Sequence, residues 1–260
     1  MVVALTAQNT TGVQAVHSCG PQFIEQQASA LPYMAMTQVL TLPACQLHSV
    51  LDDVEIKAMK TGMLFDAASI RAVVGTLKAH YASKAMPPLV CDPVCVSTSG
   101  HTLLQPDAVE VMISELFPVT YLVTPNKSEA ELLLSTRGLP ATIGTLEEML
   151  DAAKNLHTLG PQAVLLKGGH LTVTIADIDR VSAAQSGLRV VRDGLFEENM
   201  EILQVAEGES AEARIVVDVL HTTGSTTLYI RPRIESTSTH GTGCTLSAAV
   251  VCGLSRGEDG

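Results

Sequence analysis

The chain has 260 residues, of which 46% are hydrophobic and only 3% aromatic, so it can bury a sizeable aliphatic core and is not a disordered protein. Its 27 acidic and 16 basic side chains give a net charge of −11 at pH 7, which disfavours binding to nucleic acid or to an anionic membrane. No apolar run approaches the ~20 residues of a transmembrane helix, and the six cysteines lack zinc or disulfide spacing, which predicts a cytoplasmic protein with reduced thiols.

Strands and helices are predicted to alternate along most of the chain. Short apolar runs predict buried strands at 2–7, 56–63, 89–96, 121–124 and 163–166. Helical spacing and helix start signals predict helices at 23–31, 66–81, 106–116, 127–134 and 145–159, with Asp66 as the N-cap of the second. This alternation predicts an α/β fold, with a mostly parallel central sheet flanked by helices on both faces. Because ligands bind beyond the carboxyl ends of such strands, the polar clusters found there predict one composite site.

The character of the sequence changes between residues 177 and 212. This stretch carries nine acidic residues and three arginines with little periodicity, which predicts a polar insertion within a single domain spanning 1–260. Alternation returns at 214–220 and 227–234, and Gly224 between them suits a hairpin turn.

Residues 236–254 (STSTHGTGCTLSAAVVCGL) carry the most informative pattern, a glycine-bearing loop that enters an alanine-rich helix. Gly241, Thr242 and Gly243 can turn their backbone amides toward one point at the positive end of the helix dipole, which predicts an anion hole for a phosphoryl group. Cys244 lies in the first helical turn, where we expect a lowered thiol pKa and a role as proton acceptor from a substrate hydroxyl. An ordinary buried cysteine at a glycine-rich helix start is the alternative.

Six segments along the chain together resemble one enzyme family. They are AQNTTGVQ from Ala7, KTGML from Lys60, DPV from Asp92, TPNKSEA from Thr124, LKGGH from Leu166 and HGTGCTLSAA from His240. This set resembles the ribokinase-like hydroxymethylpyrimidine kinases, also called phosphomethylpyrimidine kinases. The resemblance implies a ribokinase-like fold and the use of ATP and Mg²⁺. It also implies phosphorylation of 4-amino-5-hydroxymethyl-2-methylpyrimidine and of its monophosphate in thiamine biosynthesis, and a possible homodimer.

The resemblance also implies roles for individual residues. Cys244 would be the base, beside the anion hole of Gly241, Thr242 and Gly243. The pyrimidine would be bound by Gln8, Met63 and Val94, Mg²⁺ would lie near Asp92 and Glu129, and the ATP phosphates would be bound by Lys167, Asn126 and Glu129. From the residues alone, plain structural roles are favoured: a core position for Met63, backbone hydrogen bonds for Gln8, a solvated charge for Lys167 and a helix cap for Asn126 and Glu129.

Two other functions fit the same residues. A pyridoxal kinase of the same fold is the nearest rival. Typical pyridoxal kinases carry Asp at the position of Cys244, so Cys244 and Gln8 favour the pyrimidine kinases, but a small group of pyridoxal kinases close to them also carries Cys. A non-catalytic pyrimidine or vitamin binder is the other. The family's first strand, its GGAGIQAD-like segment and its last helices have no counterpart here, so we expect a domain incomplete at both termini, with impaired stability and catalysis. The acidic stretch resembles fungal members, which can be fused to a TenA-like thiaminase II domain.

Overall fold

The computed structural model describes the side chains of residues 47, 50–95, 103–169, 171, 173–185, 187–192, 215–231 and 241–257, and the backbone of residues 4–9, 12–18 and 232. Strand β1 (Ala4–Asn9) pairs antiparallel with β2 (Gly12–Ser18) in a two-stranded sheet of their own. The prediction that the first apolar run joins the parallel sheet is therefore wrong. Asn9 pairs with Gly12, so this run pairs with the chain immediately after it. The helix predicted at 23–31 lies outside the described residues.

Seven further strands form the main sheet within the described part of the chain: β3 (Met59–Thr61), β4 (Leu89–Cys91), β5 (Leu122–Val123), β6 (Ala163–Leu166), β7 (Leu188–Val191), β8 (Ile215–Thr222) and β9 (Ser225–Pro232). Their spatial order is β3-β4-β5-β6-β8-β9-β7. Strands β3 to β6 are mutually parallel, β8 runs antiparallel to β6 and β9, and β7 is parallel to β9. The predicted mostly parallel sheet and the β8–β9 hairpin, with Gly224 at φ 89° in its turn, are confirmed.

Besides a short helical stretch at 50–53, the described ranges contain the helices α1 (Ala67–His80), α2 (Pro106–Val111), α3 (Lys127–Thr136), α4 (Leu146–His157), α5 (Ile175–Ala184) and α6 (Thr242–Ser255). Helix α2 continues through a π-helical turn to Leu116, as the prediction of 106–116 requires. The predicted cap of α1 is confirmed, because the Asp66 side chain accepts a hydrogen bond from the Ser69 amide. Over the residues the structure describes, every helix lacks the length and apolar character needed to span a membrane.

The predicted polar insertion is regular in its first half. Helix α5 and strand β7 lie within 175–191, so this part of the stretch has regular structure although its sequence shows little periodicity. The reason is local. A capping box at Thr174 starts α5, and Ile178 and Val181 bury themselves in the core while the charged side chains remain at the surface. Residues 193–212 lie outside the described part, and the single domain spanning 1–260 stays a prediction.

The start of α5 gives a test of this capping box. The Thr174 hydroxyl accepts from the Asp177 amide and donates to the Asp177 carboxylate, which lowers the pKa of Asp177 to about 2. Replacing Thr174 by Ala should lower the free energy of unfolding by about 1 kcal/mol at neutral pH. A lowered pKa stabilises the fold above the ordinary aspartate range and loses that contribution as the pH falls toward 2, so the difference between variant and wild type should shrink in acid. Urea unfolding of wild type and Thr174→Ala at several pH values measures this difference in free energy. Ser135→Ala, on the surface of α3, is the control.

The two faces of the main sheet are covered differently. The main core contains Cys91, Val123 and Leu166 and packs against α1 to α5. On the other face Val90, Leu122 and Ala163 form a smaller cluster with Val250, Val251 and Leu254 of α6. Because side chains alternate along a strand, successive residues of β4, β5 and β6 point to opposite faces. This alternation decides which residues face α6 at the carboxyl ends.

Candidate active site

The strand alternation brings four polar side chains to the face of the sheet that α6 covers. Cys91, Val123 and Leu166 are the last strand residues that point into the main core. The residue that follows each of them therefore points toward α6, and on β3 the residue paired with Val90 does so too. These four residues, which we call the polar row, come one from each of β3, β4, β5 and β6: Lys60, Asp92, Thr124 and Lys167.

Asp92 is the centre of a buried hydrogen-bond network. Its side chain is within reach of three donors: Oδ1 lies 3.3 Å from Lys167 Nζ and 3.4 Å from Thr124 Oγ1, and Oδ2 lies 3.1 Å from Ser247 Oγ of α6. Asp92 is 2% exposed and Ser247 is fully buried. A charge buried so deeply requires a partner, and Lys167 supplies it. The network joins β4, β5, β6 and α6 at one point.

Lys167 also lies against the first turn of α6. A Cβ atom added to Gly243 would lie 2.9 Å from Lys167 Nζ, so the lysine ammonium and the helix start nearly touch. Gly168, the next residue, packs against β8. Its amide donates to Asp218 Oδ1 at 2.9 Å, and a Cβ there would lie 1.9 Å from the Val217 carbonyl oxygen. Gly168 thus serves close backbone packing, while Gly169 has open space around its Cα.

The amino terminus of α6 has the features of an anion-binding site. Gly241 is the N-cap, at φ 78° in the left-handed region that favours glycine, and it has no side chain with which to cap the first turn. The amides of that turn and the positive end of the helix dipole point out of the helix beside Lys167. A cation and a helix start that converge in this way suit phosphate oxygens.

Cys244 is exposed in the first turn of α6, which agrees with a residue that meets a ligand. Its pKa is raised: partial loss of hydration against the neighbouring protein atoms raises the pKa most, the charge of Asp92 raises it further, and Lys60 and Lys167 lower it only in part. The prediction that the helix start lowers this pKa is therefore wrong. The nearby carboxylate, which no local pattern in the sequence reveals, is part of the reason.

Asn126 and Glu129 form the capping box of α3. The Asn126 side chain accepts from the Glu129 amide at 2.9 Å, and Glu129 Oε2 accepts from the Asn126 amide at 2.8 Å. Asn126 also pairs with Lys167 in an isolated parallel bridge, so the box lies beside the polar row. Glu129 is 3% exposed, and this burial, only partly offset by the Asn126 amide and Lys167, raises its pKa to about 7.

The raised pKa of Glu129 predicts a pH-dependent stability. Folding raises the pKa of this carboxyl from 4.5 to about 7, so the protonated carboxyl stabilises the folded state. This contribution to the free energy of unfolding is lost as the pH rises through that window. In metal-free buffer, the unfolding free energy of wild type should fall between pH 4.5 and pH 7, by up to about 3 kcal/mol relative to Glu129→Gln. Glutamine keeps an oxygen for the cap. Urea unfolding across this window measures the difference, and parallel curves for the two proteins would contradict the prediction.

The residues expected near magnesium fit an indirect role. Within the described ranges, no group of three or more His, Cys, Asp or Glu side chains could hold a metal ion. Asp92 has both carboxylate oxygens engaged by protein donors, and Glu129 Oε2 is bound to the Asn126 amide. Because Mg²⁺ usually keeps several of its waters, these two carboxylates suit contacts through metal-bound water.

The expected pyrimidine contacts are only partly described. Met63 is half-buried and packs against the main core, as the plain structural explanation of this residue requires. Val94 is half-buried with φ 40°, a strained backbone for a β-branched residue, and such strain is found preferentially at functional sites. Gln8 lies on β1, and its side chain is outside the described part of the chain. The assignment of these three residues to a substrate therefore stays a prediction.

Reasoning from the sequence missed Ser247 and Asp218. Ser247 follows Cys244 by three residues, so the helical repeat that puts Cys244 near the strand ends also points Ser247 toward Asp92. Asp218 interrupts the apolar run at 215–220, and a carboxylate in such a run is the sequence signal that could have identified it. Burial raises its pKa, and it accepts from the Gly168 amide.

A family model described as phosphomethylpyrimidine kinase matches residues 36–202 and 191–260. The chain belongs to this family. Together the two matches span most of the chain, including every residue of the polar row and α6. The family expected from the six sequence segments is therefore confirmed.

Curated relatives of the chain carry names that agree with this family. The chain is 32% identical to the hydroxymethylpyrimidine/phosphomethylpyrimidine kinase of Rhizobium meliloti, over 99% of its own length and 71% of that protein. The corresponding enzyme of Salmonella typhimurium is 34% identical, over 96% and 69% of the two chains. The bifunctional thiamine biosynthesis protein ThiED of Geobacter sulfurreducens is also 34% identical. The chain covers 99% of its own length in that match but only 39% of ThiED.

Solved structures place the fold among the kinases of this type. A phosphomethylpyrimidine kinase from Clostridium difficile superposes with a TM-score of 0.61 at 28% identity, covering 99% of this chain and 78% of that one. A Bacillus subtilis pyridoxal kinase solved with ADP gives a TM-score of 0.61 at 24% identity, covering 99% and 72%. The second likeness concerns the fold alone, and with the first it confirms the ribokinase-like fold class.

Proposed function

We propose that the chain transfers the γ-phosphoryl group of ATP to the hydroxyl of 4-amino-5-hydroxymethyl-2-methylpyrimidine, and then a second one to the resulting monophosphate. One observation carries this proposal: the Lys167 ammonium, paired with buried Asp92, lies against the glycine-rich start of α6. A fixed cation and converging helix amides are what a phosphoryl group in transit requires. Relatives that are named for both activities support the choice of acceptor.

The reaction that fits these residues is an in-line displacement. Cys244, as thiolate, takes the proton of the acceptor hydroxyl while the hydroxyl oxygen bonds to the γ-phosphorus and the bond to ADP breaks. Lys167 and the amides of Gly241, Thr242 and Gly243 hold the phosphate oxygens, and Ser247 holds Asp92 and thereby Lys167 in place. Because the Cys244 pKa is raised, the active thiolate is scarce at neutral pH, and the rate should rise into the alkaline range.

Magnesium would be held near Asp92 and Glu129 through its waters and would offset phosphate charge during transfer. Asn126 and Glu129, tied together in the capping box beside Lys167, would orient those waters. Gln8, Met63 and Val94 are proposed to hold the aminopyrimidine. A side-chain amide such as that of Gln8 offers the donor and acceptor that a ring nitrogen and its neighbouring amine require.

ADP release measured with three acceptors tests the proposal. The full chain is expected to turn over with the pyrimidine alcohol and with its monophosphate, and at least tenfold less efficiently with pyridoxal. The reverse preference would indicate the pyridoxal kinase that the fold also allows. Binding of the alcohol in a calorimeter without any ADP release would indicate a non-catalytic binder and would refute the kinase.

The wider biology of the chain is also proposed. The chain spans well under half the length of its bifunctional relatives. The activity and substrates of the whole protein are therefore proposed from these 260 residues. The four described cysteines (Cys91, Cys95, Cys244 and Cys252) are free, which supports the proposed cytoplasmic location. A homodimer is proposed from the family resemblance alone.

A further inference from the structure

Lys60 is the one charged member of the polar row that the mechanism above does not use. It lies on β3 in register with Val90, and Val90 packs against α6. The half-buried Lys60 side chain therefore runs along the α6 face of the sheet. Its ammonium is 3.4 Å from the place that a Cβ of Gly62 would occupy, beyond the carboxyl end of the strand. It is also close enough to Cys244 to lower the pKa of that thiol.

The charge of Lys60 has no matching carboxylate among the residues that the structure describes. Across the described residues no carboxylate forms an ion pair with it, and no hydrogen bond engages its ammonium. Lys167, in contrast, is paired with Asp92 at 3.3 Å. Within the row itself two ammonium groups accompany one buried aspartate, and Lys60 is the one whose ammonium is not paired with it. A half-buried ammonium without a partner loses hydration and gains no ion pair in return, which is unfavourable unless a ligand supplies the anion.

The place of Lys60 in the sheet indicates which anion it meets. Strands β3 and β6 are three strand spacings apart, about 14 Å at the backbone, with Asp92 and the start of α6 between them. Lys167 on β6 is assigned to the nucleotide phosphates. Lys60 lies at the other end of the row, three residues before Met63, which is assigned to the acceptor. The anion near Lys60 should therefore belong to the acceptor.

We propose that Lys60 binds the phosphate ester of the monophosphorylated acceptor and so enables the second phosphoryl transfer. The inference rests on the proposed function and extends it by assigning a cation to each substrate. In the first transfer the acceptor is an uncharged alcohol and gives Lys60 no anion to bind in the ground state. In the second it carries a phosphate, and an ammonium-phosphate contact that is largely shielded from water contributes strongly to binding.

Steady-state kinetics of Lys60→Met with both acceptors test this assignment. KM for the monophosphate should rise about 10- to 100-fold, as expected for a lost hydrogen bond to a charged group, while KM for the alcohol should change less than about threefold. Lys60→Arg, which keeps the charge, should restore most of the loss. Lys57→Met is the matched control, because it removes an exposed positive charge at the opposite end of β3. Equal changes in KM for the two acceptors, or no change in either, would overturn the proposal.

Calorimetry separates this inference from the proposed function. Binding of the monophosphate and of the alcohol to wild type and to Lys60→Met requires no turnover. If wild type binds both but releases no ADP, the kinase assignment fails, and a selective loss of monophosphate affinity in Lys60→Met would still support the Lys60 site. If wild type is an active kinase and Lys60→Met binds the monophosphate as tightly as wild type does, the Lys60 site is wrong and the kinase assignment stands.

Discussion

Replacing Cys244 by Ala is expected to lower kcat for phosphorylation of the pyrimidine alcohol by about 10²- to 10⁴-fold, the usual contribution of a positioned base. The side chain is exposed, so its loss should leave the fold intact and change KM little. The remaining activity should also lose the rise with pH that a raised thiol pKa imposes on the wild type. Coupled ADP release between neutral and alkaline pH measures both effects.

Cys252→Ala is the matched control for that variant. Cys252 is a second exposed thiol on α6, two helical turns from Cys244 and away from the polar row, so its removal should leave kcat and the pH profile as in wild type. If Cys244→Ala keeps the wild-type rate at every pH, Cys244 is not the proton acceptor. The anion site of Lys167 and α6 would then act without it.

Gly168→Ala is expected to have the largest effect on stability. The added Cβ would lie 1.9 Å from the Val217 carbonyl oxygen, an atom of backbone that cannot move alone because β8 pairs with strands on both of its sides. We expect a loss of about 3 kcal/mol or more in the free energy of unfolding. Activity should fall as well, because any backbone shift displaces the adjoining Lys167.

Gly169→Ala tests whether the effect comes from that contact. Gly169 is the neighbouring residue in the same segment, and no atom lies within 4 Å of the place its Cβ would take. Its replacement should change the unfolding free energy by less than about 0.5 kcal/mol in urea. Equal midpoints for the two variants would contradict the packing of Gly168 against β8.

Much of the fold follows from periodicity alone. The prediction of strand 163–166 coincides with β6, and helices α1, α2 and α4 begin where the sequence indicates. These elements bury one face in the main core, so their pattern is strong. The pairing of β1 with β2 and the order in α5 and β7 depend on turn geometry and a capping box, which composition does not reveal.

The site was predictable in its parts and not in its contacts. The segments around Asp92, Lys167 and Cys244 could be recognised from the sequence, but residues 75 positions apart, such as Asp92 and Lys167, meet only through the strand order. The direction of the Cys244 pKa shift could not be predicted for the same reason, because it depends on loss of hydration in the folded protein and on the charge of Asp92. Ser247 and Lys60 required the alternation of faces to be combined with the position of α6.

The central claim is that a migrating phosphoryl group lies between Lys167 and the first turn of α6. A crystal structure of the chain with a non-hydrolysable ATP analogue and the pyrimidine alcohol tests it most directly. We predict a γ-phosphate within hydrogen-bond distance of Lys167 Nζ and of the amides that begin α6, with the alcohol oxygen in line beside Cys244. A nucleotide whose phosphates lie beyond the reach of both Lys167 and α6 would contradict the account.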